Sequence, residues 1–399
     1  MWAFLETPDP ILDAFYELNR ADTLEKARTA SSKIQAPGLN VVWANAKGDI
    51  GWWASALLPK RPAGVNPGFI LDGSTADADK DGFYPFSANP QEENPARGYI
   101  VSANAQPVSP TGMEIPGYYN LPDRGQQLNR QLSDSSVRWN LENSQKLQLG
   151  TTTDYGPRLL KPLLPVLREV VKDPAELKLV EQLAQWKGDY PMSSTTATLF
   201  NQFLYDLTYT AMHDKLGDDY FKALLSTRVV DTALPRLAAD EHSPWWGKGR
   251  TETVKTAWQA SIAHLKELYG DDPGSWVWGK AHTLTHEHPL GQQKPLDRLF
   301  NVGPFDAPGS HEVPNNLSAK IGPAPWAVSN GPSTRRLIDF ADPAHSLTVN
   351  PVGQSGVLFD KYYDDQAETY IEGGYEQVRL DEVEVSANTR SVLKLLPAR

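Results

Sequence analysis

The sequence predicts an α+β fold in which strand-forming stretches sit at both ends of the chain and a large helical insertion fills the middle. Three observations point to it. Two Val- and Trp-rich runs, 40–44 and 50–54, flank a Gly-containing turn at Ala46-Lys47-Gly48-Asp49, the pattern of a hairpin. Apolar residues then recur at helical spacing through about 122–270, and short runs of strand character resume from 276 to 349. Strands segregated from helices favour sheets of neighbouring, largely antiparallel strands over parallel βαβ units.

Near the start, Ile11, Phe15 and Leu18 mark one face of a helix, and Asp22-Thr23-Leu24-Glu25 has the form of a capping box opening a second one. Trp43, Trp52 and Trp53 predict a heavily buried face on the hairpin. From 59 to 95 Pro, Gly, Asp and Asn dominate, with Phe69-Ile70-Leu71 and Phe83-Tyr84-Pro85-Phe86 as apolar anchors. So many aromatics to bury predict a long ordered loop rather than a linker. Residues 98–107, Gly-Tyr-Ile-Val-Ser-Ala-Asn-Ala-Gln-Pro, predict a short strand that ends on Asn104.

In the middle, Asp173-Pro174-Ala175-Glu176 supplies an N-cap, a first-turn Pro and an acidic third position, ahead of the stripe Leu177, Val180, Leu183 and a stop at Gly188. A longer helix carries Leu199, Phe200, Phe203, Leu204, Leu207 and Ala211 before Gly217; another carries Val254, Trp258, Ile262, Leu265 and Leu268 before Gly270. Strands are then predicted at 276–278, 283–285, 323–328, 335–340 and 346–349. There is no internal repeat or low-complexity tract.

With 399 residues and 40% hydrophobic content the chain can bury a large core, and length alone suggests two or three domains. Lys and Arg number 38 against 49 Asp and Glu, a net charge of −11 that works against a phosphate-binding surface, so no nucleic-acid partner is expected. The absence of cysteine excludes disulfides, thiol catalysis and zinc–thiolate sites. The longest apolar run, 159–166, is interrupted by Lys161, Pro162 and Pro165 and falls far short of the ~20 residues of a membrane span, so no membrane partner is expected. Glu6 and Asp9, with no basic flank before an apolar run, do not read as a signal peptide.

An Asn held at a strand end can offer its amide N–H to a developing oxyanion, the need of amide cleavage. Twenty residues on, Arg124 of Leu121-Pro122-Asp123-Arg124 could donate to the Asn104 carbonyl and so turn the NH₂ outward. The plain alternative is a turn residue bonding its own backbone. His282, His286 and His288 alternate along a strand and would share one face, yet Glu287 points the other way, so half-exposed or hydrogen-bonded histidines are the better reading and no metal is predicted. Gly353-Gln354-Ser355-Gly356 departs from a nucleophile elbow, since the second Gly follows the Ser directly, and reads as a turn. Ser193-Ser194 reads as a helix cap, and the adjoining Asp364 and Asp365 diverge on an extended chain and do not pair as acid and base.

The 98–107 stretch, the strand pair before it, the Leu121-Pro122-Asp123-Arg124 step and the tail Gly353-Gln354-Ser355-Gly356 … Tyr363-Asp364-Asp365-Gln366 together resemble the penicillin acylase (penicillin amidase) family of N-terminal nucleophile hydrolases. The likeness runs in order along nearly the whole chain. It implies a four-layer αββα sandwich, of which residues 1–399 form one interlocked piece of a large subunit, with a helical middle at about 122–270 and strand-rich flanks. Family members expose a Ser as the first residue of that subunit, its α-amine serving as base. Met1-Trp2-Ala3-Phe4-Leu5-Glu6 does not resemble that segment, so the nucleophile is expected upstream, and the small subunit and upstream part of the same precursor are the expected partners.

Residue by residue, the resemblance carries over Asn104 as the oxyanion-hole Asn and Arg124 as its support, and no other catalytic position. The family often binds calcium through a carboxylate between these two; here the interval holds Glu114 and Asp123 but no Asp at the aligned place, so no cofactor and no calcium site are predicted. The implied activity is hydrolysis of a small-molecule N-acyl amide in the periplasm or outside the cell. The alternative is a non-catalytic remnant of the fold acting as a binding or assembly module.

Overall fold

The computed structural model describes residues 10–113 and 115–397; the start of the chain, with Glu6 and Asp9, and Glu114 lie outside the described residues. Contacts divide the chain into two units, Met1–Ser135 and Ser136–Arg399.

The first unit opens with helices α1 (Ile11–Leu18) and α2 (Leu24–Ser31). Thr23 caps α2, its side chain accepting from the Lys26 N–H at 3.3 Å. Of the face predicted on α1, Ile11 and Leu18 are half-buried and Phe15 is exposed, and Ala14 is the helix's one fully buried residue. Strands β1 (Leu39–Ala44) and β2 (Ile50–Ser55) form the hairpin, and β3 (Gln91–Glu93) pairs antiparallel to β2 on its other side. The tryptophans do not share one face. Trp52 and Trp53 are consecutive, so they project to opposite sides of the central strand, and both are buried while Trp43 is half-buried. Trp53 Nε1 donates to Glu93 at 2.9 Å, and Arg28 of α2 donates to the same carboxylate at 2.6 Å, pinning helix to sheet.

Residues 59–85 contain no helix or strand, and their ends are joined by a bridge between Pro59 and Phe83. Phe83, Tyr84 and Phe86 are half-buried, but the other predicted anchor, Phe69-Ile70-Leu71, is exposed. The strand predicted at 98–107 is also absent. The chain there is extended without a ladder and bends at Asn104, whose φ of +60° lies in the left-handed region. Helix α3 (Asp123–Leu132) follows.

The second unit begins with α4 (Leu141–Gln148), α5 (Tyr155–Leu160), α6 (Leu164–Val170), α7 (Pro174–Gln185), α8 (Thr195–Leu225), α9 (Val229–Ala239) and α10 (Arg250–Tyr269). Asp173 caps α7 with bonds of 2.8 and 3.0 Å from Ala175 and Glu176, and Ser194 caps α8. Helix α8 packs along α10, with Phe203 edge-on to Trp258, and Gly217 interrupts α8 at φ 70°, ψ 171° before helical turns resume. Leu268, in the last turn of α10, is exposed.

Residues 276–278 are not a strand: Trp276 and Trp278 are 1% exposed because each indole N–H is spent on a backbone carbonyl, Gly270 and Gly309, as the chain turns into α11 (Trp278–Ala281). Aromatic bulk there signals burial rather than extension. Beyond lie β4 (His282–His286), α12 (Asp297–Phe300), β5 (Val302–Asp306), β6 (Trp326–Ala327), β7 (Arg335–Leu337), β8 (Leu347–Val349), α13 (Ala367–Ile371), β9 (Glu376–Gln377) and α14 (Glu382–Asn388). Strand β4 pairs antiparallel with β5 and parallel with β6, and β7-β8-β9 is antiparallel throughout. Leu284, Ala307, Leu317, Val349 and Tyr370 pack into a shared cluster beneath these strands.

Candidate functional site

Asn104 sits exposed at its bend, and three bonds set its geometry. Its carbonyl accepts from the Asn120 N–H at 2.9 Å, with a parallel bridge between Ala105 and Asn120. Arg124, the second residue of α3, donates from one Nη2 to Asn104 Oδ1 at 2.6 Å and to the Ala103 carbonyl at 3.0 Å. A guanidinium has only donors, so the atom facing it must be the amide oxygen, and Nδ2 turns away from Arg124. Among the described residues Nδ2 meets no partner, leaving two donors directed outward.

A cleft of about 740 Å³ opens within the first unit, and Asn104 is not one of its lining residues. Gln106 lines it, two residues after Asn104 and therefore within about 7 Å along the chain. Ile115 and Tyr118 line it as well, a few residues before the bridge from Asn120 to Ala105.

The other sequence candidates take structural roles. His282 is buried, with its ring against Trp278 at 4.6 Å and Nδ1 2.9 Å from the Ala307 carbonyl, and burial pushes its pKa down to about 4. His286 meets Tyr370 edge-on, while His288 stacks on Phe300 and accepts from the Leu290 N–H. The three rings face three different aromatics and do not converge. Asp123 is buried at the start of α3. Ser355 accepts from the Val357 N–H in a turn, and a Cβ on Gly353 would stand 1.8 Å from the Tyr362 carbonyl. Tyr363 donates to the Phe300 carbonyl at 2.6 Å, and Gln366 accepts from the Asn350 N–H at 2.9 Å, so this tail motif clamps backbone.

One cluster escaped the sequence. His311 Nε2 lies 3.3 Å from Asp231 of α9 and 3.4 Å from Glu312, which is fully buried at φ +60°. Asp231 lies eighty residues upstream, and no local pattern links the two. Burial opposes charging His311 and Arg228 adds to that, yet the Asp231 bond and charge together with Glu312 outweigh both and hold its pKa above the ordinary histidine value. A raised folded-state pKa stabilises the fold fully below the unfolded value of about 6.5 and loses that contribution as pH climbs through the folded value. The thermal midpoint is therefore expected to drop between about pH 6 and pH 9 by more in the native chain than in His311→Gln; equal slopes in the two melting series would refute this.

The family model for penicillin amidase matches residues 1–387. The acyl-homoserine lactone acylase QuiP of Pseudomonas fluorescens is 28% identical over 93% of this chain and 48% of its own length. Penicillin G acylase of Escherichia coli is 22% identical over 91% of this chain and 45% of its own. The chain thus spans about half the length of the curated relatives it matches. Among solved structures, the thermostable penicillin G acylase of Alcaligenes faecalis superposes with a TM-score of 0.69 over 97% of this chain and 72% of that one, at 19% identity. That likeness shows the fold, the N-terminal nucleophile hydrolase type with mixed helix and sheet. The chain belongs to the penicillin amidase family.

Proposed function

We propose that this chain is the greater part of the large subunit of an acylase that hydrolyses the amide bond of a small N-acyl compound, linear or cyclic. In this reading residues 1–399 form one interlocked piece of a four-layer αββα sandwich, completed by the small subunit and the upstream part of the same precursor. A Ser outside this chain attacks the amide carbon while its α-amine takes the hydroxyl proton and passes it to the departing amine. Water then cleaves the acyl–enzyme ester by the same base. Asn104 donates from Nδ2 to the oxygen that gains charge in both steps, and Arg124 keeps the amide from turning over.

The observation that carries this reading is the 2.6 Å bond from Arg124 to Asn104 Oδ1, which leaves the donor end of an exposed amide unspent. The donor is preorganised, so no dipole must reorient as the oxyanion forms. The chemistry needs no metal or cofactor, and a precursor of this kind belongs in the periplasm or outside the cell. The relatives' names speak of acyl-homoserine lactones and penicillin G, and either kind of amide suits the proposed mechanism.

The chain alone is expected to show no turnover of N-acyl amides, whereas the full polypeptide carrying the Ser segment hydrolyses them. Turnover by the purified 399-residue chain would place the nucleophile within it and overturn the assignment.

A further inference from the structure

We propose that residues 309–315 form a strap held shut by a proton: the charged His311 imidazole latches it to Asp231 of α9, and loss of that proton lets the strap open. The device lies within the second unit and does not depend on the acylase reading.

The two ends of the strap are fixed. Gly309 N–H donates to the Tyr190 carbonyl at 2.9 Å, the Gly309 carbonyl accepts from Trp278 Nε1 at 2.9 Å, and Asn315 N–H donates to the Gly150 carbonyl at 2.8 Å. The ends also meet each other, since a Cβ on Gly309 would stand 2.2 Å from the Asn315 carbonyl oxygen. Between them Ser310 is buried, and Glu312 and Val313 are buried completely. Such a bight can move as a piece while its neck stays in place.

His311 is where the strap meets α9, with Nε2 3.3 Å from Asp231 and 3.4 Å from Glu312. Arg228 of α9 also faces it and opposes its charge. A cavity of about 30 Å³, room for about one water, is lined by Asp231, Ser310 and His311 together with Tyr155 of α5, Tyr190 and Lys320. The Tyr155 hydroxyl donates to the Asp231 backbone carbonyl at 3.4 Å, and Lys320 is exposed.

A charged imidazole sets a cation between two carboxylates. A neutral ring carries one N–H, so at least one buried carboxylate then faces a partner without charge. The backbone pulls the same way. Glu312 holds φ +60°, a left-handed conformation that a residue with a side chain keeps only where its surroundings enforce it. Releasing the latch lets that strain relax. Burial opposes the charge on His311, yet the Asp231 bond and the two carboxylates hold its pKa above the ordinary histidine value. The latch is therefore closed below about pH 6.5 and opens as pH climbs through the folded value.

The chain contains no cysteine, so Val313→Cys places a single thiol on the strap, and Val349→Cys, at an equally buried position in β8, places one in the core. Each is alkylated with iodoacetamide and its rate divided by that of N-acetylcysteine at the same pH. From pH 6 to pH 9 this ratio is expected to rise about tenfold for Val313→Cys and to stay level for Val349→Cys. Adding His311→Gln or Asp231→Asn to Val313→Cys is expected to give the fast ratio already at pH 6. Near-ultraviolet circular dichroism selects the variants that fold, and the two added substitutions act on different partners, so either one carries the test. A ratio for Val313→Cys that ignores pH, a rise shared by Val349→Cys, or a slow ratio at pH 6 in the folded double variants would each overturn the latch.

Discussion

Asn104→Ala in the full-length polypeptide is expected to lower kcat by about 10² to 10³ with little change in KM. The substitution removes the two Nδ2 donors and leaves Arg124 bonded to the Ala103 carbonyl, so the α3 attachment survives. Ala at φ +60° carries a local strain of about 1 kcal/mol, which would lower stability slightly and must be kept apart from the loss of the donor. Asn104→Gly separates the two effects, because glycine takes that backbone conformation without strain while also lacking the amide. Equal activity losses in the Ala and Gly variants, with stability reduced in Ala alone, would assign the effect to the amide. Asn104→Asp should be at least as inactive, since a carboxylate would pair with Arg124 and present negative charge where the oxyanion must form. Full hydrolysis by either Asn104→Ala or Asn104→Gly would end the oxyanion assignment.

Gly188→Ala is expected to be among the most destabilising single-methyl changes in the second unit. Gly188 has φ +77°, and a Cβ there would stand 1.9 Å from the Thr153 carbonyl oxygen, far inside contact distance and against backbone rather than a mobile side chain. The two segments cannot easily part. Thr153 N–H donates to the Gly188 carbonyl at 3.0 Å, Tyr190 N–H donates to Thr151 at 3.0 Å, and Thr153 and Tyr190 are both buried. Left-handed strain and overpacking together amount to about 3 kcal/mol, a fall in the thermal midpoint on the order of 10 °C by calorimetry. Gly48→Ala, at φ +93° with open space around it, supplies the control for strain without a clash. A midpoint for Gly188→Ala no lower than for Gly48→Ala would show that the backbone yields at no cost.

What the sequence disclosed depended on how far apart the partners lie along the chain. Thr23, Asp173 and Ser194 cap their helices through bonds spanning two or three residues, and their patterns were readable. The hairpin at Gly48 and the breaks at Gly217 and Gly270 were readable for the same reason. Strand β5 was missed because Gly303-Pro304 looks like a breaker, and 276–278 was misread because a run of tryptophans fits a buried turn as well as a strand. At the candidate site, resemblance to a family drew attention to Asn104 and Arg124, but composition could not show that Asn104 is left-handed. The His311–Asp231 pair gave no local signal, since its significance comes from what the fold sets side by side.

The bridge between Pro59 and Phe83, reinforced by Lys60 N–H to Gly82 and Asp81 N–H to Lys60, closes the intervening segment at its neck. A neck held by backbone bonds makes the enclosed chain an interchangeable cassette. Closure entropy rises only slowly with length, so residues can be gained or lost between Arg61 and Asp81 while the hairpin below keeps its register.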